Sequence, residues 1–164
     1  MSTPDTTTTA ESRELALTRV IDAPRERIFQ AWTDPAILPQ WWGSHGITTP
    51  VCEMDPRPGG IFRTVMRDAD GNEHAGTGVF LEVVAPERVV FTDAFTPGWI
   101  PSPEPFFTCV VTLEEDGGKT RCTARALHWT EEKRAQHEEM GFKTGWGEMF
   151  ERLETLVTVN WPGK

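Results

Sequence analysis

The run Asp22-Ala23-Pro24-Arg25-Glu26-Arg27-Ile28-Phe29-Gln30-Ala31-Trp32-Thr33-Asp34-Pro35, with Trp41-Trp42-Gly43 close behind it, decides how this chain folds. Three tryptophans fall within eleven residues, in a segment that also carries Pro35 and Pro39. An indole buries about 150–250 Å², so this cluster belongs to a core corner or a pocket wall. The bland reading is that the rings only fill a corner of the core. The sharper one is that a ring also faces a ligand cavity. Asp22 is a helix-capping residue type and Pro24 suits a first helical turn. Ile28, Phe29, Ala31 and Trp32 follow at helical spacing, which predicts a short amphipathic helix over residues 24–32. Pro35 restarts the chain, and Ile37, Leu38 and Trp41 predict a second short helix.

Upstream, residues 14–22 place Leu15, Leu17 and Ile21 on one parity, the signature of a strand. Downstream the chain is strand-rich. Strands are predicted over residues 47–54, 61–67, 73–84, 88–95, 106–114 and 119–128. The turns between them fall at Pro58-Gly59-Gly60, Asp68-Ala69-Asp70-Gly71-Asn72, Pro86 and Gly117-Gly118, where glycine and asparagine tolerate positive φ. Residues 96–105 hold four prolines, which bars them from a central strand. Thr130 is the expected cap of a helix that opens with Glu131-Glu132. From residue 142, Phe142, Trp146, Met149, Phe150, Leu153, Leu156 and Val157 make one apolar stripe. Gly141, Gly145 and Gly147 are unusual there, each costing up to about 1 kcal/mol against alanine. They read as aids to close packing or as a loosened helix start. Tightly turned strands form an antiparallel sheet, and the terminal helix must bury its stripe on one face of it.

The chain has 164 residues, suited to one core. We expect a flexible tail over residues 1–12, one domain over 13–160 and a short C-terminal tail over 161–164. A net charge of −9 argues against nucleic acid and anionic membrane surfaces as partners. No run approaches the roughly 18 apolar residues of a membrane span, and the Thr-rich start does not read as a secretory signal. Cys52, Cys109 and Cys122 are odd in number and lie in apolar runs, so they read as buried thiols of a cytoplasmic, reducing compartment rather than a disulfide framework.

The Asp22–Pro35 run resembles the opening motif of the activator of heat-shock-protein ATPase homologue (AHSA)-like family, within the START-like, or SRPBCC, superfamily. Trp41-Trp42-Gly43, Pro58-Gly59-Gly60, Asp70-Gly71, Pro86-Glu87-Arg88, Lys119-Thr120 and Gly145-Trp146 follow in family order. The resemblance spans residues 14–158. It implies an α+β helix-grip fold: a curved antiparallel sheet of six to seven strands wrapped around a long C-terminal helix, with two short helices after the first strand. It also implies a cavity between sheet and helix.

If that cavity is open, strand parity and the helix stripe give its lining as Trp42, Phe62, Met66, Phe91, Phe95, Trp99, His128, Phe142, Trp146 and Met149. Such a wall suits a small hydrophobic or aromatic molecule, although the same residues also make a filled core. The weak candidates for chemistry are His74 and His128, near strand ends with inward parity, and Asp93, which alternates with Phe91 and Phe95. His137 reads as solvated on a charged helix face, and His45 as a loop residue. No histidine or cysteine has metal-ligand spacing, and no cofactor fingerprint is present. Three functions follow from these readings. The first is a ligand-binding protein without catalysis of its own. The second is a cyclase- or hydrolase-type enzyme using the cavity His and Asp residues. The third is an interaction module, such as a chaperone ATPase regulator or a homodimer.

Overall fold

The computed structural model describes residues 11–162. Seven strands form one antiparallel sheet: β1 (Glu14–Ile21), β2 (Thr48–Met54), β3 (Ile61–Arg67), β4 (Glu73–Val84), β5 (Arg88–Thr92), β8 (Phe107–Asp116) and β9 (Lys119–His128). Their order across the sheet is β1-β9-β8-β5-β4-β3-β2. The first and last strands of the sequence therefore lie side by side, with Leu15 opposite Ala126 and Ile21 opposite Thr120. The expected strand over residues 88–95 stops at Thr92. Phe95–Thr96 (β6) instead pairs with Ile100–Pro101 (β7) in a small separate hairpin, the form that this proline-rich stretch permits.

Helix α1 (Arg25–Thr33) begins behind Pro24, which sits at the cap position, and no side chain caps it. Asp22 is exposed and leaves the capping role expected of it unfilled. The second short helix is a single 3-10 turn, Leu38–Gln40. Two further helices close the chain, α2 (Glu131–Glu139) and α3 (Phe142–Thr158). They are separated by Gly141 at φ 92°, a left-handed turn that ends one helix and lets the next set off in a new direction. The stripe of α3 packs onto the sheet: Phe150, Leu153 and Val157 are fully buried in one cluster with Trp32, Trp41, Phe80, Val89, Val111 and Cys122. On β9 the side chains at 120, 122, 124, 126 and 128 are buried, and those between them are not. The period of two set the face.

The tryptophan cluster is a core corner. Trp32 and Trp41 are 0% exposed, with ring centroids 4.8 Å apart, edge to face. Trp41 Nε1 donates to the Ala31 carbonyl at 3.0 Å. Trp32 also meets Phe150 at 6.3 Å, which ties α1 to α3. All three cysteines are free. Burial pushes the Cys52 thiol up to about 11 and that of Cys122 to about 12, and raises Cys109 further. They are inert fillers.

Of the two expected tails, residues 1–10 and 163–164 lie outside the described residues. Glu11–Arg13 form a 3-10 turn, and the Ser12 carbonyl accepts from Arg134 Nε at 3.0 Å. Trp161 is half-buried against the core, with the Arg27 guanidinium 5.6 Å from its ring centroid. No helix among the described residues is long and apolar enough to cross a membrane.

Helix α2 is held differently from α3. None of its residues is buried. Its first turn is capped by Thr130, whose Oγ1 accepts from the Lys133 amide at 3.1 Å. Thr130→Ala should cost α2 about 1 kcal/mol. Amide exchange in α2 should quicken, while the urea midpoint of the whole domain stays put. A global midpoint that fell with it would show that α2 unfolds only with the core.

Candidate functional site

Between β3, β4 and β5 on one side and α3 on the other lies an open cavity of about 440 Å³. That is within the size range of small-molecule sites, roughly 300–1,000 Å³. Its wall is mainly aromatic: Trp42, Phe62, Phe91, Phe107, Phe142 and Trp146, with Met66, Met140 and Met149. Trp42 joins the tryptophan corner to this wall. Its ring lies 5.6 Å from Trp41, 5.6 Å from Phe62 and 6.4 Å from Trp146.

Glycines make room for the space. In the β3–β4 register Thr64 faces Gly76, a lining residue opposite another. A Cβ at Gly76, at Gly141 or at Gly145 would meet nothing within 4 Å. Gly145 stands in the first turns of α3 and faces the cavity, so close packing is not its role. Gly78, by contrast, is needed where it is: a Cβ there would run into the Thr92 carbonyl.

Of the residues expected to line a pocket, Trp42, Phe62, Met66, Phe91, Phe142, Trp146 and Met149 are brought together here. Phe95 and Trp99 are not. They pack on each other in the β6–β7 hairpin, centroids 5.8 Å apart, with the Trp99 ring over Gly59. The break of the strand at Thr92 took Phe95 off the parity of Phe91.

The polar candidates separate in the same way. His74 lies opposite Met66 and shares its face, yet it stands past the end of the cavity, exposed, with Nε2 3.1 Å from Asp68 Oδ2. That contact is the largest cause of the lowered Asp68 pKa. Asp93 does line the cavity. Its Oδ1 and Oδ2 accept from the Phe106 amide at 2.9 and 3.1 Å, and Oδ1 also accepts from the Phe107 amide at 3.2 Å. The carboxylate thereby fixes the start of β8. His128 is buried behind the wall. Its Nδ1 is 2.8 Å from the Arg13 carbonyl, and its Nε2 is 2.8 Å from His137 Nδ1.

His137 is the correction. Expected in solvent, it is half-buried on α2, lines the cavity, and is boxed by Phe106, Phe107 and Phe142 with centroids 5.0–5.5 Å away. Helix α2 lies across the ends of β8 and β9, so its inner side is polar yet covered. Burial, and then the neighbouring His128, bring the His137 pKa down to about 4. Burial likewise lowers that of His128. Among the described residues no group of three or more His, Cys, Asp or Glu side chains is placed to hold a metal ion.

A seven-stranded antiparallel sheet carrying a long C-terminal helix, with an aromatic cavity between them, defines a helix-grip protein of the START-like class. The chain matches the family described as Activator of Hsp90 ATPase homolog 1-like protein over residues 22–158, and it belongs to that family. Among solved structures, protein NE0264 from Nitrosomonas europaea is 36% identical, with a TM-score of 0.84 over 87% of this chain and 92% of that one. Protein Ms6760 from Mycobacterium smegmatis is 28% identical, with a TM-score of 0.78 over 95% and 97% of the two chains. The AHSA1 protein from Silicibacter pomeroyi shares the fold at 24% identity, with a TM-score of 0.68 over 90% and 99%. No curated protein matches the chain significantly.

Proposed function

We propose that this chain is a cytoplasmic carrier or sensor that holds a small, largely aromatic molecule in the cavity and performs no covalent chemistry on it. The observation that carries the reading is the open space at Gly76 on β4 and Gly145 on α3, two lining positions where a Cβ would meet nothing within 4 Å. Glycine in a strand or helix costs about 0.5–1 kcal/mol each, a cost without return if the space were meant to be filled. The aromatic and methionine lining supplies contact for a flat apolar molecule. Against catalysis stands Asp93, whose carboxylate is engaged by two backbone amides.

Thermal unfolding tests this with a panel of two-ring aromatic compounds. A ligand at one hundred times its Kd adds about 2.7 kcal/mol, a rise of roughly 5–10 °C for a domain of this size. Gly145→Leu should plug the cavity and gain helix propensity. Its melting temperature should match or exceed that of the wild type, and the ligand-induced rise should vanish. An unchanged rise in Gly145→Leu, or no rise with any compound in the wild type, would sink the reading.

A further inference from the structure

The two histidines behind and within the cavity wall form a chain of hydrogen bonds whose direction is fixed at one end. A carbonyl oxygen only accepts, so at the 2.8 Å contact with Arg13 the donor is His128 Nδ1–H. When His128 is neutral its other nitrogen, Nε2, then carries a lone pair and no hydrogen. The 2.8 Å contact to His137 must therefore be made by a hydrogen on His137 Nδ1. A neutral His137 with its hydrogen on Nδ1 has a bare Nε2. That nitrogen has no partner among the described residues, and its ring lines the cavity.

We propose that the His128–His137 pair presents His137 Nε2 to the cavity as a hydrogen-bond acceptor, and so selects aromatic molecules that carry a neutral hydroxyl group, the phenol class. This rests on the ligand-site reading above and deepens it. The aromatic wall holds the ring, and the Nε2 acceptor orients the hydroxyl. Both rings are neutral near pH 7, because burial lowers the pKa of each and that of His137 falls to about 4.

The relay also fixes what a proton does. If His137 takes it, Nε2 gains a hydrogen directly. If His128 takes it, His128 Nε2–H becomes the donor, His137 Nδ1 must accept, and the hydrogen of His137 moves to Nε2. Either way one added proton turns the cavity-facing atom from acceptor to donor. The surrounding charged groups are few. Arg134 on α2 disfavours a charge on His128. Lys133 Nζ sits 5.8 Å above the Phe106 ring. Asp93 is tied to the Phe106 and Phe107 amides. Preference for a hydroxyl donor is thus present at neutral pH and lost as the pH falls towards 4.

Two measurements on the intact protein test this. Imidazole nitrogen–proton correlation spectra at pH 7.5 should show both histidines with hydrogen on Nδ1, the tautomer less favoured in water. A hydrogen on His137 Nε2 there would overturn the proposal. Binding is then compared for 2-naphthol and 2-methoxynaphthalene, read from the Met66 and Met149 methyl resonances. The free hydroxyl should bind about tenfold tighter, the upper range for one neutral hydrogen bond. In His137→Phe the preference should fall below twofold. Equal binding of the two compounds by the wild type would remove this inference and leave the ligand site standing. No binding of either would remove both. Should His137→Phe fail to fold, the tautomer spectrum and the wild-type comparison decide alone.

Discussion

Trp32→Ala should cost this protein about 3–5 kcal/mol, the range for emptying a fully buried indole site. Against a usual total of 5–15 kcal/mol, that is a fifth or more of the stability. The midpoint of thermal unfolding should drop by roughly 10–15 °C. The reason is position. The ring is 0% exposed and touches Trp41, Trp42, Phe91 and Phe150 at centroid distances of 4.8–6.3 Å. It thus joins α1, the loop after it, the sheet and α3 in one contact set, and those neighbours are themselves too large to collapse into the gap. Trp32→Phe separates packing from polarity. The Trp32 Nε1–H is buried without an oxygen or nitrogen acceptor and has only the Cys122 sulfur beside it, so the phenylalanine variant sheds a poorly satisfied donor as well as volume, and should lose under about 2 kcal/mol. Urea unfolding of both variants checks this. A loss below about 2 kcal/mol for Trp32→Ala would mean the corner repacks and is not the joint described here.

Arg152→Ala is the second large effect, at about 3 kcal/mol. Arg152 reaches from α3 under the loop that leads out of the tryptophan corner. Its Nη1 is shared among the carbonyls of Trp42, Gly43, Ser44 and Ile47 at 2.9–3.3 Å, and its Nη2 donates to Gln40 at 3.2 Å. Partial burial lowers its pKa, yet the guanidinium keeps its charge at any ordinary pH. Removing it takes the shared donor away from this ring of carbonyls, of which Trp42 keeps the Thr49 hydroxyl and Ser44 keeps the Ile47 amide, at about 1–3 kcal/mol for each group left unpaired that water cannot reach. Arg152→Lys should recover less than half of the loss, because an ammonium group cannot span the ring. Since Trp42 and Gly43 line the cavity, the alanine variant should also bind aromatic ligands more weakly. Urea unfolding and the naphthol titration read the two losses. A cost under about 1 kcal/mol would mean that water replaces the guanidinium.

How much of this was legible beforehand depends on the period of each element. Phe62, Thr64 and Met66 on β3, and Phe142, Trp146 and Met149 on α3, announce their faces through strict spacings of two and of three to four, and the structure places all six on the cavity. Phe95 sits on the same parity as Phe91, but parity holds only while a strand continues, and β5 ends at Thr92. Met66 and His74 show the complementary limit: the register puts them on one face, yet sequence does not say where along that face the cavity stops. His137 carried no signal at all. Helix α2 has no apolar stripe, because it is covered at the sheet's end by aromatic rings from β8 and α3 rather than by a core of its own, and a polar helix looks solvated. Gly145 stands out in a helical sequence, but the empty space beside it is visible only in three dimensions.

The distribution of the tryptophans has an optical consequence. The chain has seven tryptophans and no tyrosine, so its ultraviolet emission comes from indoles alone. These divide by depth. Trp32 and Trp41 are sealed, Trp42 and Trp146 border the cavity, and Trp99 and Trp129 are more than half exposed. An aromatic guest in the cavity would stack against only the middle pair. Its arrival should quench part of the emission and spare the long-wavelength part from the exposed indoles, so the protein carries its own reporter of occupancy without a dye.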